Sequence, residues 1–224
     1  MTAGPVRTWA WAGFAAQVVF VASWLVAAAW QGDGYRVLAH TISDMYAVTA
    51  PGGLFLVVVL TLCGLATVLF ALLSVRPVLQ PAGRTATIGA VLLALSIYGL
   101  GDLFSPFERE ACRLADPGCT DAGQSANAGG ALDAALSTIG ILLFVAAAFV
   151  LAAAMRRTPG WQDWSRAARW VGVGFAGLLV LYIVAEPAGL GGLLERRLAA
   201  LGAAAIGAPA LRIAREPIPA VDRI

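Results

Sequence analysis

The chain has no lysine: all 15 of its basic residues are arginine, set against 13 acids, for a net charge of +2. Only 12% of its 224 residues are charged, where a soluble domain carries about a quarter. So little charge, and nearly balanced, excludes a disordered chain, a coiled coil and a nucleic-acid binder. There is one histidine, His40, and only three cysteines. Cys112 and Cys119 are separated by six residues, which is not a usual zinc-ligand spacing, so no metal or other cofactor is implied. The missing lysine, together with abundant alanine and glycine, points to a bacterial source of high GC content.

What is abundant is apolar sequence, 60% of the chain, and it is clustered. Six runs stand out: Thr8–Trp30, Gly53–Val75, Thr85–Phe104, Ala131–Met155, Ala167–Glu186 and Leu190–Ala214. Each is about 20 to 25 residues, enough at 1.5 Å per residue to cross a hydrocarbon core of about 30 Å. They are rich in Ala and Leu and lack the period-2 alternation of an outer-membrane barrel. The expected fold is therefore all-α: one domain over residues 1–224, an integral membrane bundle of six transmembrane helices. The sixth run is the weakest, since Glu195, Arg196 and Arg197 interrupt its start. The first exceeds the 7 to 15 residues of a signal-peptide core and is read as a retained helix.

Arginine sets the orientation. Ten of 15 fall at the N-terminus, the second and fourth connections, and the C-terminus. By the positive-inside rule both termini are cytoplasmic, in a multi-pass protein of a bacterial cytoplasmic (inner) membrane. Trp9, Trp11, Trp30, Trp161, Trp164 and Trp170 lie at or beside run ends, as an aromatic belt requires. The cytoplasmic connections are short. The outer side has two long ones, Gln31–Gly52 and Ser105–Gly130, and long segments in a compact protein are commonly functional or disordered. The tail after Arg215, with Pro217 and Pro219, is expected to be unstructured.

Cys63 falls mid-run and reads as a small packing residue. Cys112 and Cys119 flank Asp116-Pro117-Gly118, a turn-forming tripeptide, so the chain can return and close a disulfide outside the cytoplasm.

The acids collect at the outer ends of the runs: Asp44, Asp102, Asp133, Glu186 and Glu195, the last beside Arg196 and Arg197. Tyr98 and Asp102, Tyr182 and Glu186, and Asp133 and Ser137 are each four residues apart and share a helix face. Turned inward, these faces make a polar outer pocket, to which His40 and Ser43 are added from the first long loop. One reading is a site for a membrane lipid or small amphiphile, with Arg196 and Arg197 facing an anionic head group and Trp30 and Tyr46 at the rim, serving transport or sensing. A second makes the carboxylates acid/base groups of a lipid-modifying enzyme or a proton relay. His40, Ser43 and Asp44 as hydrolase parts is a poor third, because residues so close on one loop rarely form a triad. Against these stands a structural reading. Thr41-Ile42-Ser43-Asp44 fits a helix-capping pattern, Asp133 suits a helix N-terminus, Glu195 pairs with a neighbouring arginine, and His40 is a hydrogen-bonded loop histidine. A subunit that packs against another membrane protein is a further alternative, and oligomeric state is not fixed by the sequence. Small-residue strips at Gly172, Gly174 and Gly177, and at Gly202 and Gly207, suggest close helix packing.

The segment Tyr35-Arg36-Val37-Leu38-Ala39-His40-Thr41-Ile42-Ser43-Asp44-Met45 resembles the stretch after the first helix in a bacterial membrane family, domain of unknown function 998. Gly191-Gly192-Leu193-Leu194-Glu195-Arg196 and Ala208-Pro209-Ala210-Leu211-Arg212 resemble that family's closing helix. The family's aromatic-Pro-Asp element corresponds to Phe104-Ser105-Pro106, here without the Asp, and Asp133 stands where the family often has a His. The resemblance implies six helices and a polar outer loop, and no particular activity.

Overall fold

The computed structural model describes residues 3–216; the tail containing Pro217 and Pro219 lies outside them. Among the described residues every regular element is helical. The six principal helices are α1 (Ala3–Ala27), α2 (Gly53–Phe70), α3 (Arg84–Ala94), α4 (Ala128–Arg157), α5 (Gln162–Ala185) and α6 (Gly191–Arg215). With their helical extensions, five stretches are long and apolar enough to cross a membrane: Gly4–Trp30, Gly53–Val78, Ala128–Arg157, Gln162–Ala188 and Gly191–Arg215. This is a multi-pass membrane protein.

The helices close into a ring. α1 packs on α2 and α6, α4 on α3 and α5, and α5 on α6. Outward-facing Leu54, Val58 and Leu62 of α2, and Val180, Ile183 and Val184 of α5, are exposed, which suits a lipid solvent and no aqueous one. In lipid, apolar contact between helices brings little gain, so small residues and polar links hold the bundle. The α1–α2 seam carries both. Gln17 donates to Thr67 Oγ1 at 2.9 Å, Thr67 donates to Cys63 O, and the Cys63 thiol reaches Ala16 O at 3.3 Å. Ser74 Oγ donates to Val6 O at 2.7 Å. Cys63 is thus a packing residue that also tethers α1.

The third apolar run departs from the expectation of one continuous helix. α3 stops at Ala94, Ser96 is extended (φ −69°, ψ 174°), and a wide, π-type half-helix follows over Ile97–Gly101. Ser96 Oγ turns back to Leu93 O at 2.7 Å, and Ser96 O accepts from Gly99 N and Gly101 N. The break survives in an apolar bundle because those bonds satisfy the interrupted backbone. Two glycines let it pack. A Cβ on Gly140 of α4 would come within 2.7 Å of Ile97 N, and one on Gly64 of α2 within 2.7 Å of Gly99 O. No periodicity in the sequence marks this break, because leucine and isoleucine continue across it.

Among the other glycines, Gly172 faces Phe149, Gly202 has Tyr98 pressed against it, and Gly207 faces Phe14 and Gln17. Gly177 faces open space, so the strip on α5 is only partly used within the chain.

Candidate functional site

The two long connections, residues 31–52 and 105–127, fold onto each other and cap one end of the ring. Cys112 and Cys119 form the expected disulfide, with Cα atoms 6.1 Å apart. Its loop is pinned by Arg113, which donates to Asp116 and to Gln31 O, and by Thr49, which donates to Asp116 Oδ2 at 2.5 Å. Arg109 donates to Tyr46 O and Ala47 O at 2.9 and 2.8 Å, tying the second loop to the first.

Asp44 is fully buried between the loops. Its Oδ1 accepts from Leu114 N at 2.7 Å and from Gln124 Nε2 at 3.2 Å, and burial raises its pKa above the usual carboxylate range. Thr41 Oγ1 accepts the Asp44 N–H at 3.2 Å, so half of the expected capping arrangement forms at the short helix Ser43–Tyr46. Asp44 is therefore a latch between loops and does not line the cavity described below. His40 lies outside it too. Its Nδ1 accepts from Arg36 N at 3.0 Å and its ring packs beside Tyr35. Among the described residues no hydrogen bond joins His40 to Ser43 or Asp44, so the hydrolase arrangement does not form.

Arg196 also departs from its expected role. It is 7% exposed and faces the first long loop. Nη1 donates to Val37 O, His40 O and Gly192 O at 2.8 to 2.9 Å, and Nη2 donates to the Tyr35 phenol. Gly192 sits directly beneath His40 O and Val37 O, where no side chain fits. Gly192 N and Leu193 N donate to Ala39 O and Leu38 O. The start of α6 thus holds the loop by its carbonyls, and a guanidinium so engaged is withheld from a ligand head group. Arg197 is exposed. Trp30 packs over Phe55 and Gly52 and is no part of the cavity rim.

The remaining candidates meet. Under the loops, a cavity of about 550 Å³ is lined by Ser43, Tyr98, Asp102, Asp133, Ser137, Tyr182, Glu186 and Glu195, eight of the eleven residues singled out from sequence. Half-helix 97–103, α4, α5 and α6 each bring a polar residue to it, as the four-residue spacings require. Asp133 is 8% exposed, and its Oδ1 accepts from the Tyr46 phenol at 3.2 Å. Glu195 Oε2 accepts from Ile42 N at 2.6 Å. From the second long loop, Glu110, Asp121 and Gln124 also line it and were not foreseen. Glu110 Oε1 accepts from Ser43 at 3.2 Å and Oε2 from Gln124 at 2.8 Å. Burial raises its pKa to about 8, helped by the negative charges of Asp133 and Asp44. These residues lie on the disulfide-bearing loop, where no periodicity indicates which side chains turn inward.

The cavity floor is aromatic. Tyr98 donates its hydroxyl to Leu198 O at 2.8 Å across Gly202, and its ring lies 4.8 Å from Phe144 and 6.4 Å from Phe175. Phe144 lines a second, largely apolar cavity of about 240 Å³ toward the other end of the bundle. Among the described residues no group of three His, Cys, Asp or Glu is placed to hold a metal ion.

The sequence matches the model of a family described as protein of unknown function (DUF998) over residues 14–212. The chain belongs to this family. No curated protein and no solved structure matches it. In this DUF998 member the matched region takes in four principal helices whole, most of α1 and α6, both long loops and every residue of the cavity, so the site lies wholly within the part shared with the family.

Proposed function

We propose that this protein is a non-enzymatic protein of the bacterial cytoplasmic membrane that binds a lipid or small amphiphile in the loop-capped cavity, for transport or sensing. The observation that carries the reading is the convergence of eight polar residues distant in sequence, from one loop and four helical segments, on one cavity of about 550 Å³. That volume falls in the range of small-molecule sites, about 300 to 1,000 Å³. Its walls mix carboxylates and hydroxyls with Phe20, Leu60, Ile141 and Phe175, which suits a molecule with a polar and an apolar part.

The broken helix supports transport. Tyr98 and Asp102 reach the cavity from its second half, and discontinuous helices line the substrate sites of many transporters. With the broken segment counted beside the five long helices, the chain crosses six times and both termini share a side. The arginine bias puts that side in the cytoplasm, and the disulfide fits a long-loop end in an oxidising compartment.

Native mass spectrometry of protein extracted gently from its own membrane tests the reading. A bound lipid or amphiphile is expected, and it is expected to be lost when Ser137→Trp fills the cavity while the fold persists. An extract that carries no ligand beyond the detergent in either form overturns it. Maleimide labelling of Cys112 and Cys119 in intact cells, with and without reductant, tests the orientation. Labelling by a membrane-impermeant reagent only after reduction is expected.

A further inference from the structure

The cavity at the long-loop end is lined by six carboxylates, those of Asp102, Glu110, Asp121, Asp133, Glu186 and Glu195, and by no Arg, Lys or His. Of the arginines at this end, Arg109 and Arg196 hold loop carbonyls, Arg113 holds Asp116, and Arg36 and Arg197 are exposed and line no part of the cavity. Among the described residues there are two ion pairs, Arg113–Asp116 and Arg212–Glu216, and neither includes a cavity carboxylate. The protein thus gathers acids and gives none of them an ion pair; Glu110 keeps its proton up to about pH 8, and Arg196 is the one arginine whose charge acts on a cavity acid, Glu195.

Asp133 makes the demand specific. It is more than nine-tenths buried and lines the cavity, yet only Oδ1 has a partner, the Tyr46 phenol. Oδ2 has no hydrogen bond among the described residues and is left for a donor in the cavity. A half-satisfied carboxylate in a cavity of low dielectric is stabilised by a cation within hydrogen-bond reach far more than the same carboxylate in water.

The other walls tell what kind of cation. A bare divalent ion needs several oxygens around one point, and no such group of acids exists among the described residues. The space is instead that of an organic molecule, with the rings of Phe20, Tyr98, Phe175 and Tyr182 among its walls. Aromatic faces attract alkylammonium groups, and quaternary ammonium recognition depends on them.

We infer that the molecule bound in this cavity is a cationic amphiphile, an organic ammonium with an apolar body, whose charge is met by Asp133 and the carboxylates around it. The inference rests on the cavity being a ligand site, as proposed above, and specifies the charge of the ligand.

The test uses full-length protein carrying Ser137→Cys and Cys63→Ala, with the disulfide oxidised, in nanodiscs of neutral phosphatidylcholine. N-ethylmaleimide labelling of the cysteine at position 137 is followed against dodecyltrimethylammonium, dodecanol and dodecyl sulfate. These probes share a twelve-carbon chain and differ in charge, and concentrations are corrected for membrane partitioning. The ammonium is expected to protect the thiol at least tenfold more potently than the other two. Asp133→Asn, and separately Asp102→Asn should the first variant fail to elute as a folded monodisperse species, is expected to reduce that advantage severalfold. Equal potency of the three probes, or better protection by the neutral or anionic one, overturns the charge assignment and leaves the ligand site standing. So does an ammonium preference unchanged in the folded Asn variant, since the charge would then be read elsewhere. Failure of all three to protect removes the ligand site itself, and the charge assignment with it.

Discussion

The phenol of Tyr46 donates a 3.2 Å hydrogen bond to Asp133, joining the first long loop to α4 inside the bundle. Like the bond from Ile42 N to Glu195, it ties the first loop to a helix through a cavity carboxylate. Tyr46→Phe keeps the ring and removes the donor. A hydrogen bond to a charged group contributes about 1.5 to 3 kcal/mol, and less where a membrane reference state finds other partners. The variant is expected to lose about 1 to 2 kcal/mol, read as a lower thermal midpoint in detergent. Asp133→Ala combined with it should cost less than the sum of the single changes, because each removes the same bond.

Arg196 is expected to be the least replaceable polar residue at this end. Arg196→Ala leaves the carbonyls of Val37, His40 and Gly192 without their shared donor. The loss is expected to be at least about 2 kcal/mol, and the segment around Tyr35–His40 should become the first site cut by a protease. Arg196→Lys should restore less than half of it. A single ammonium cannot reproduce the planar fork that reaches three carbonyls and the Tyr35 phenol together.

The pH dependence follows from Glu110. Its pKa is raised from 4.5 to about 8, chiefly by burial and then by Asp133 and Asp44. Below about pH 4.5 folded and unfolded chains both hold the proton. Between 4.5 and 8 the unfolded chain releases it and the folded chain keeps it, so stability falls as pH rises through this window. Thermal midpoints in neutral detergent are expected to decline from pH 5 to pH 8. Glu110→Gln should flatten that decline, since glutamine keeps both the Ser43 and Gln124 contacts within reach without titrating. A profile of unchanged slope in Glu110→Gln would assign the decline to other acids.

These residues also show what the sequence made legible. The long apolar runs identify five of the membrane helices, because twenty apolar residues in a row have no other economical solvent. The inward faces followed from four-residue spacing: Asp133 and Ser137, Tyr98 and Asp102, and Tyr182 and Glu186 all reach the cavity. That rule works only within regular helices. Asp44, His40 and Glu110 lie in loops, where direction is set by contacts distant in sequence, such as Leu114 N on Asp44. Spacing therefore could not show that Asp44 latches the loops while Glu110 faces the cavity. The sequence puts Arg196 near the long-loop end, but carbonyl acceptors carry no side-chain signature, so its partners are invisible there. The break at Ser96 was hidden for the converse reason: the residues that accommodate it, Gly64 and Gly140, are on other helices.

Those two glycines lead to the most demanding prediction. The half-helix 97–103 carries Tyr98 and Asp102 into the cavity, and its backbone is held between α2 and α4. A Cβ at Gly140 would stand 2.7 and 2.9 Å from Ile97 N and Cα, and backbone atoms cannot swing aside as a side chain can. Gly140→Ala must therefore move the half-helix or α4, at a cost of about 1 to 3 kcal/mol typical of overpacking. Gly177→Ala on α5 is the matched control. A Cβ there meets nothing within 4 Å, so no loss beyond about 0.5 kcal/mol is expected, and alanine's better helix propensity offsets part of that. Thermal midpoints measure the stability difference. Displacement is read separately, by maleimide labelling of cysteine at position 137 in the Cys63→Ala background: Gly140→Ala should change its rate, because Tyr98 and Asp102, which line the same cavity as Ser137, sit on the segment that moves. Equal labelling and equal midpoints in the two glycine variants would mean that the half-helix is not fixed by this contact.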